Sequence, residues 1–267
     1  MAASSLQSRA REPVVEVDRV STRFGDAVVH ENISLSVYRG ELFAIIGGSG
    51  SGKTTLLREM ILLREPDAGS IRIFGEETRA MGPADLLRFR RRSGVLFQEG
   101  GLFSALTVAE NAAVPLKEHT ALSGHLIREI ALVKIGLTGL PSESAVKYPS
   151  ELSSGMRRRA GLARAIALDP ELLFLDEPTA GLDPISAGGL DELIERLKAR
   201  LGLTVVMVTH DLDALWRLAD RVAVLGEGRI VAVGTMAELA RSKEPLVRAF
   251  FQARGGRETQ ESTWKQR

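Results

Sequence analysis

Cysteine is absent from this 267-residue chain, and histidine is scarce. Without cysteine the chain forms no disulfide, has no thiol nucleophile and offers no thiolate ligand for zinc or an iron–sulfur cluster. The wide spacing of the histidines argues against a histidine-built metal site; they are His30, His119, His125 and His210. Thiol chemistry is therefore excluded, and a transition-metal centre is not expected.

Long hydrophobic runs and an excess of charge of either sign are also missing. No apolar run approaches the ~18 residues of a membrane-spanning helix, and the start, MAASSLQSRA, lacks the apolar core of a secretory signal. The 35 Lys and Arg residues balance 34 Asp and Glu for a net charge of +1, so bulk charge does not favour nucleic acid. We expect a soluble intracellular protein without a nucleic-acid partner, which meets a membrane only through another protein.

Short buried strands alternate with helices in the predicted secondary structure. The apolar run at 42–46 stops at glycines, as a buried parallel strand does, and a helical apolar stripe follows it. Further short apolar runs, alternating with helical patterns, lie at 95–97, 172–175, 205–208 and 222–225. This alternation predicts an α/β fold with a largely parallel sheet.

The sequence also suggests how the chain is divided. The predicted segments are a disordered N-terminus (1–12), one large domain (13–252), a helical subdomain inserted into it (about 83–168) and a polar C-terminal tail (253–267). Alternating apolar residues at 15–17 and 33–37 predict further strands near the start, and a hairpin turning at 226–228 is predicted near the end.

One glycine-rich segment carries a phosphate-binding pattern. Residues 47–54 read GGSGSGKT and match G-x-x-x-x-G-K-[ST] between a buried strand and a helix. Its glycines let backbone N–H groups curl around phosphate oxygens, and the helix N-terminus adds its dipole. Lys53 can neutralise the outer phosphates, and the Thr54 hydroxyl suits magnesium. The predicted nucleotide contacts here are Gly47, Gly48, Ser49, Gly50, Ser51, Gly52, Lys53, Thr54 and Thr55.

A second apolar strand, 172–175, ends in two acids, Asp176 and Glu177. In an enzyme with a phosphate loop, the first acid holds magnesium and the second orients or deprotonates the attacking water. Paired with the phosphate loop, this strand predicts an ATP-hydrolysing enzyme that uses ATP and Mg²⁺.

Three further features point to one family. Leu152–Met156 opens a helical stretch, Gln98 follows a short strand between the two motifs, and His210 follows the strand at 204–208. Together with those motifs they resemble the ATP-binding cassette of ABC transporters, over about residues 14–251. The resemblance implies a P-loop core, an antiparallel β part and an inserted helical subdomain. It also implies a head-to-tail homodimer that sandwiches two ATP molecules.

The resemblance implies a role for each matching residue. Glu177 is implied as the general base and His210 as a contact of the γ-phosphate, and Lys53 completes the catalytic set. Gln98 is implied to contact magnesium and ATP and to sense the transporter. The implied magnesium contacts are Thr54, Gln98 and Asp176.

Other implied positions surround the sandwiched ATP. Phe24 stands where the family stacks an aromatic ring on adenine, and Asp183 is the acid of the D-loop. The signature residues implied to face the opposite subunit's ATP are Ser153, Ser154, Gly155 and Met156. Residues 152–156 read LSSGM, so Ser154 and Met156 stand where the common LSGGQ signature has Gly and Gln, while Ser153 and Gly155 match it.

The residues after Gln98 carry a narrower resemblance. LFQEGGLF (96–103), LTV (106–108) and PLKEHT (115–120) are similar to the ATPase subunits of MCE-associated lipid transporters of the Mla (maintenance of lipid asymmetry) type. This resemblance implies three partners: an MlaE-type integral membrane permease, an MCE-domain protein and often a small STAS-domain protein. It also implies phospholipid transport from the cytoplasmic face of a bacterial inner membrane. The implied permease contacts are Gly100, Gly101, Leu102 and Phe103.

Two other kinds of cassette remain as alternatives. DNA-repair and chromosome-structure ATPases with this head carry a long coiled-coil insertion, and this sequence has no heptad run. Translation-associated members carry two cassettes, and this chain has a single phosphate-loop motif. The second alternative is the cassette of a small-solute importer. Only residues 98–103 and 115–120 distinguish this sequence from such a cassette. The prediction is an ATPase subunit energising phospholipid transport, with a small-solute importer or a non-transport cassette as the alternative.

Overall fold

The computed structural model describes residues 12–252, so the predicted terminal segments 1–12, apart from Glu12, and 253–267 lie outside the described residues. The strands are β1 (Pro13–Phe24), β2 (Ala27–Tyr38), β3 (Leu42–Gly47), β4 (Ala68–Ile73), β5 (Glu76–Glu77), β6 (Ser93–Leu96), β7 (Leu172–Asp176), β8 (Thr204–Val208), β9 (Arg221–Gly226) and β10 (Arg229–Gly234). The α-helices are α1 (Lys53–Met60), α2 (Pro83–Arg92), α3 (Val108–His119), α4 (Gly124–Leu137), α5 (Ser154–Ala165), α6 (Pro184–Leu201), α7 (Leu212–Leu218) and α8 (Met236–Ala240), and residues 245–252 are also helical.

The larger sheet has the strand order β10-β9-β3-β8-β7-β6, and its neighbours are parallel except for β10 with β9. The predicted α/β fold with a largely parallel sheet is confirmed. Every residue of β3 is buried, because both faces of this central strand are covered. The register pairs both Ile45 and Asp176 with Val208. The carboxyl ends of β3, β7 and β8 therefore meet at one edge, where ligands of such sheets bind.

A smaller antiparallel sheet, in the order β2-β1-β4-β5, covers one face of the larger sheet. Val15 and Ile33 on its inner side share an apolar core with Phe43 of β3 and Leu56 of α1. Helices α5, α6 and α7 cover the opposite face. The predicted antiparallel part is thus confirmed, and so is the late hairpin, which is formed by β9 and β10.

Helices α3, α4 and α5 share a third apolar core of their own. The predicted subdomain, 83–168, also spans β6, which pairs with β7 as an edge strand of the larger sheet. Phe89 of α2 packs into the core beneath the antiparallel sheet rather than into the helical core. The helices with a separate core therefore begin after β6, near Leu102. Among the described residues, no helix combines the length and the apolar character that crossing a membrane requires.

Candidate functional site

The predicted phosphate loop connects β3 with α1. It runs from Gly47, buried at the end of β3, to Gly52, the N-cap of α1 with a φ of 96°. A Cβ at Gly47 would lie 2.3 Å from the carbonyl oxygen of Leu225, and one at Gly52 would lie 2.4 Å from Nε2 of His30, so both positions require glycine. Residues 48–50 are exposed between them. An exposed glycine-rich loop at the positive end of a helix dipole suits an anion such as phosphate.

Lys53 brings a cation to this loop. Its Nζ donates to the carbonyl oxygens of Gly47 at 3.0 Å and Gly48 at 2.8 Å, and lies 3.5 Å from Oγ of Ser51. The ammonium group therefore lies over the loop, where it can meet the oxygens of a bound phosphate. Thr55 is half-buried in the first turn of α1.

Thr54 and Asp176 form a pair of oxygen ligands suited to magnesium. The Thr54 hydroxyl lies 3.5 Å from Oδ1 of Asp176, which ends β7. Burial and then the neighbouring Glu177 carboxylate raise the pKa of Asp176. The described residues hold no cluster of three or more His, Cys, Asp or Glu side chains able to bind a metal. The hydroxyl of Thr54 and the carboxylate of Asp176 are oxygen donors of the kind that fit a magnesium ion arriving with nucleotide phosphates.

Glu177 and His210 face each other at adjacent strand ends. Nδ1 of His210 lies 2.7 Å from Oε2 of Glu177, whose side chain is largely buried, while that of His210 is half exposed. Glu177 has a φ of 47°, and its N–H donates to the carbonyl oxygen of Val208 at 2.8 Å. Because Val208 ends β8 and precedes His210 by two residues, one strand end holds both side chains. A carboxylate paired with an imidazole is suited to taking a proton from water.

Gln98 lies exposed in the turn after β6, and the predicted permease contacts follow it. Gly100 and Gly101 adopt φ values of 84° and 59°, and a Cβ at Gly100 would lie 2.7 Å from a carbonyl oxygen of α5. Leu102 then packs against the helical core, whereas Phe103 is 54% exposed. Of these two large residues, Phe103 presents an apolar ring at the surface and Leu102 supports the helices.

Phe24, the predicted adenine platform, ends β1 with its side chain 51% exposed. The guanidinium carbon of Arg64 lies 3.9 Å from the centre of the ring, and its Nη2 donates to the carbonyl oxygen of Arg23 at 2.8 Å. An exposed aromatic ring held in place by arginine is suited to stacking with a base.

Two side chains cap the helices of the predicted signature and D-loop. Oγ of Ser153 accepts the N–H of Met156 at 3.2 Å at the start of α5. Residues 154–155 lie in that first turn, and the Met156 side chain packs against the helical core. Oδ1 of Asp183 accepts two N–H groups of α6 at 3.1 and 3.0 Å, and the hydrogen bonds from Ser186 lower its pKa. Each predicted segment is therefore the capped N-terminus of a helix.

Arg158 connects the signature helix with the segment that follows the predicted general base. It is buried in α5 and donates to the carbonyl oxygens of Pro178 at 3.1 Å and Ala180 at 3.0 Å. The sequence gives no direct sign of these bonds, because an arginine in a run of three is more often solvated.

Sequence analysis missed a set of buried polar residues behind the phosphate loop, centred on His30 and Glu59. The alternation at 33–37, continued backwards, predicts that residue 31 faces inward. Asn32 instead adopts a φ of 55°, and this irregularity turns His30 inward, opposite Thr22. Asn adopts a positive φ more readily than most residues, so Asn32 is the sequence feature that could have indicated this irregularity.

Comparisons with known proteins agree with this geometry. The family described as "ABC transporter" matches residues 30–180. The chain is 41% identical to the Intermembrane phospholipid transport system ATP-binding protein MlaF of Haemophilus influenzae, over 89% of this chain and 90% of that protein. It is 44% identical to MlaF of Escherichia coli, over 89% and 88%. It is also 38% identical to the Probable ribonucleotide transport ATP-binding protein mkl of Mycobacterium leprae, over 90% of this chain and 69% of that protein.

Solved structures with the same fold are also cassettes. One is a dimeric ATP-binding cassette in a post-hydrolysis state bound to ADP and Pi, with a TM-score of 0.76 and 30% identity, covering 83% of this chain and 98% of that chain. Another is cbiO1 from Clostridium perfringens, part of the ABC transporter complex cbiONQ, with a TM-score of 0.77 and 28% identity, covering 94% and 99%. Since the family match spans more than half of the chain and the relatives align over most of it, this protein belongs to the ABC transporter family as an ATP-binding cassette ATPase.

Proposed function

We propose that this chain is the ATP-hydrolysing subunit of a transporter that moves phospholipid. The observation that carries the cargo is the 44% identity to an MlaF protein over 89% of the chain, since that protein is named for intermembrane phospholipid transport. The observation that supports hydrolysis is the pair of Glu177 and His210, 2.7 Å apart at the edge of the sheet that carries the phosphate loop.

The proposed chemistry is attack of water on the γ-phosphate of ATP. Lys53 binds the outer phosphates, and His210 contacts the γ-phosphate. The Glu177 carboxylate accepts the proton of the attacking water as the bond from the water oxygen to the γ-phosphorus forms. The bond between that phosphorus and the oxygen bridging the β- and γ-phosphates breaks, and ADP and inorganic phosphate leave. Most of the acceleration in phosphoryl transfer comes from positioning and charge stabilisation, which the loop and Lys53 are placed to provide.

We assign the magnesium contacts to Thr54, Asp176 and Gln98. The hydroxyl and the carboxylate are 3.5 Å apart, and a cation there offsets both the burial of Asp176 and its repulsion by Glu177. When bound there, magnesium would supply positive charge against the negative charge that develops on the phosphates. Gln98 lies on the turn that precedes Phe103, so the same turn connects the nucleotide site with the proposed permease contact.

The proposed assembly is a homodimer of cassettes beneath a membrane permease. The capped helix starts at Ser153 and Asp183 supply surfaces for the second cassette and its ATP, and a related cassette was solved as a dimer. The exposed Phe103 is the proposed contact with an MlaE-type permease on the cytoplasmic face of a bacterial inner membrane. An MCE-domain protein and a small STAS-domain protein complete the proposed complex.

Purification of the complete transporter tests this function. The chain is tagged and extracted with its membrane partner, and the copurified cargo is identified by mass spectrometry. The complex is then reconstituted, and ATP-dependent movement of labelled phospholipid between two populations of vesicles is measured. We expect bound phospholipid and movement that stops in the Glu177→Gln complex.

The same experiment separates the competing cargoes. A complex that carries and moves ribonucleotide instead, in line with the name of the mkl protein, would replace the lipid proposal while leaving ATP hydrolysis intact. A chain that copurifies with no membrane protein would favour a non-transport cassette.

A further inference from the structure

A buried polar chain connects the phosphate loop with the interior of the antiparallel sheet. The side chains of His30 and Glu59 are both 0% exposed. Nε2 of His30 lies 3.1 Å from the carbonyl oxygen of Gly52, and Nδ1 lies 3.2 Å from the hydroxyl of Thr22. That hydroxyl donates to Oε1 of Glu59 at 2.6 Å, and Oε2 of Glu59 lies 3.6 Å from Nδ1. Buried polar groups are costly unless they are paired, and among the described residues Oε2 of Glu59 has no hydrogen-bond partner.

The contact with Gly52 fixes the orientation of the imidazole. A carbonyl oxygen only accepts hydrogen bonds, so Nε2 of His30 is the donor. The contact is also tight, because a Cβ on Gly52 would approach Nε2 to 2.4 Å. Gly52 is the N-cap of α1 and immediately precedes Lys53 and Thr54. Holding its carbonyl group therefore fixes the backbone position of these two residues.

The buried polar chain continues from Glu59 to Phe24, the predicted adenine platform. Nε of Arg64 lies 4.0 Å from Oε1 of Glu59. The same guanidinium group holds the carbonyl oxygen of Arg23 and lies 3.9 Å from the centre of the Phe24 ring. Thr22, Arg23 and Phe24 are consecutive, so the strand end that carries the platform is tied to the buried pair at two points.

We propose that His30 is a positioning residue for ATP, which holds the phosphate loop through Gly52 and couples it through Glu59 and Arg64 to base stacking on Phe24. The inference rests on the proposed function because it takes ATP as the ligand, and it takes the predicted role of Phe24 as the ring that stacks on adenine. His30 touches no reacting atom. It acts by fixing where Lys53 and Thr54 meet the phosphates, and small displacements of such groups are costly.

Two neutral variants of His30 separate positioning from general stability. The side-chain nitrogen of His30→Gln reaches the place of Nε2, whereas His30→Asn faces Thr22 but falls short of Gly52. Both replace the imidazole with an uncharged carboxamide, and urea denaturation shows whether each variant is folded in the assay. We measure the ATP and AMP dissociation constants of the full chain, and KM and kcat of its ATPase activity.

We expect His30→Asn to raise the ATP dissociation constant and KM by about 5- to 10-fold, the value of one lost hydrogen bond. The kcat of His30→Asn should stay within about twofold of the original value, and its AMP dissociation constant should change less than its ATP dissociation constant. His30→Gln should stay within about twofold of the original chain in every measurement. Equal ATP binding by the two variants, whether normal or impaired, overturns the positioning role.

A double-mutant cycle tests the coupling to the base. Phe24→Ala is combined with His30→Asn, and ATP binding of the four proteins is compared. The control cycle pairs Phe24→Ala with Thr204→Val, which removes a buried hydroxyl that accepts from Gly40 N–H elsewhere. We expect the first pair to deviate from additivity by at least threefold and the control pair to be additive. Additivity in both cycles overturns the coupling.

The failure of this inference differs from that of the proposed function. If ATP does not bind the original chain, or if Lys53→Ala leaves binding unchanged, the nucleotide site itself is wrong. If Lys53→Ala weakens binding while His30→Asn and His30→Gln bind ATP equally, only the role of His30 is lost.

Discussion

His210 and Glu177 form a close side-chain pair, with 2.7 Å between Nδ1 of His210 and Oε2 of Glu177. The pair depends on β8, because the backbone of Glu177 is bonded to Val208 and His210 follows the same strand end. The imidazole thus restrains the carboxylate that we assign as the general base. The contact with His210 therefore gives the Glu177 side chain a defined orientation.

Glu177→Gln should retain ATP binding and lose most turnover. The amide keeps the size of the side chain and can still pair with His210, but it does not accept the proton of water. General bases contribute about 10²- to 10⁴-fold, and we expect a loss in that range. The check is single-turnover hydrolysis in the assembled transporter, together with gel filtration of the subunit with ATP, where a closed dimer should accumulate. Turnover at the original rate would remove the assignment.

Lys53→Ala should act earlier, on nucleotide binding. Its ammonium lies over the loop within 3.0 Å of two carbonyl oxygens, where it supplies the charge for the outer phosphates. Hydrogen bonds to charged groups are worth about 1.5–3 kcal/mol, so the ATP dissociation constant should rise by about 10- to 100-fold. Titration with a fluorescent ATP analogue measures this, and Arg91→Ala, an exposed cation on α2, is the control. An unchanged dissociation constant in Lys53→Ala would contradict the phosphate-loop assignment.

The parts of the site that were predictable are contiguous in sequence. The phosphate loop needs only Gly47 to Thr54 between a buried strand and a helix, and each of these features has a local pattern. The contacts of His30 and Arg158 join residues far apart in the chain, so no local pattern contains them. The bulge at Asn32 also reversed the expected face of His30, since a shift of one residue in a strand exchanges its two faces.

Glu171→Gln should lower stability in a pH-dependent way. Hydrogen bonds from Arg92 at 2.6 Å and Arg39 at 2.8 Å lower the pKa of Glu171 to about 2. The folded chain therefore keeps this carboxylate ionised at pH values where the unfolded chain binds a proton. Its stabilising effect is complete above about pH 4.5 and is lost as the pH falls towards 2.

Because Glu171 is partly exposed, we expect its replacement to cost about 1 kcal/mol at pH 7. Urea denaturation at pH 7, 5, 4 and 3 measures the difference, which should shrink below pH 4.5. Glu195→Gln, at an exposed position of α6, should change the free energy of unfolding by less than about 0.5 kcal/mol. A difference for Glu171→Gln that grows with acidity would refute the role of this carboxylate.

Phe103→Ala and Leu102→Ala should have opposite consequences. Leu102 packs against the core shared by α3, α4 and α5, whereas Phe103 is 54% exposed beside it. Removing a partly buried leucine should destabilise the isolated subunit by about 1–3 kcal/mol. Removing the exposed ring should change its stability by less than about 0.5 kcal/mol. If a permease covers the ring, Phe103→Ala weakens docking by about 1–3 kcal/mol, the range of an interface hot spot.

The two variants are compared in three measurements: urea denaturation of the subunit, its ATP binding, and its affinity for permease in detergent. Phe103→Ala should keep normal stability and ATP binding, because the phosphate loop and Glu177 are untouched, and should lose affinity for permease and transport activity. Leu102→Ala, assayed at a temperature where it is folded, should keep more of the original affinity for permease than Phe103→Ala. If Phe103→Ala instead unfolds early and docks normally once folded, the ring belongs to the core. The nucleotide chemistry would then stand, and the proposed route from Gln98 to the membrane partner would have to run through other residues.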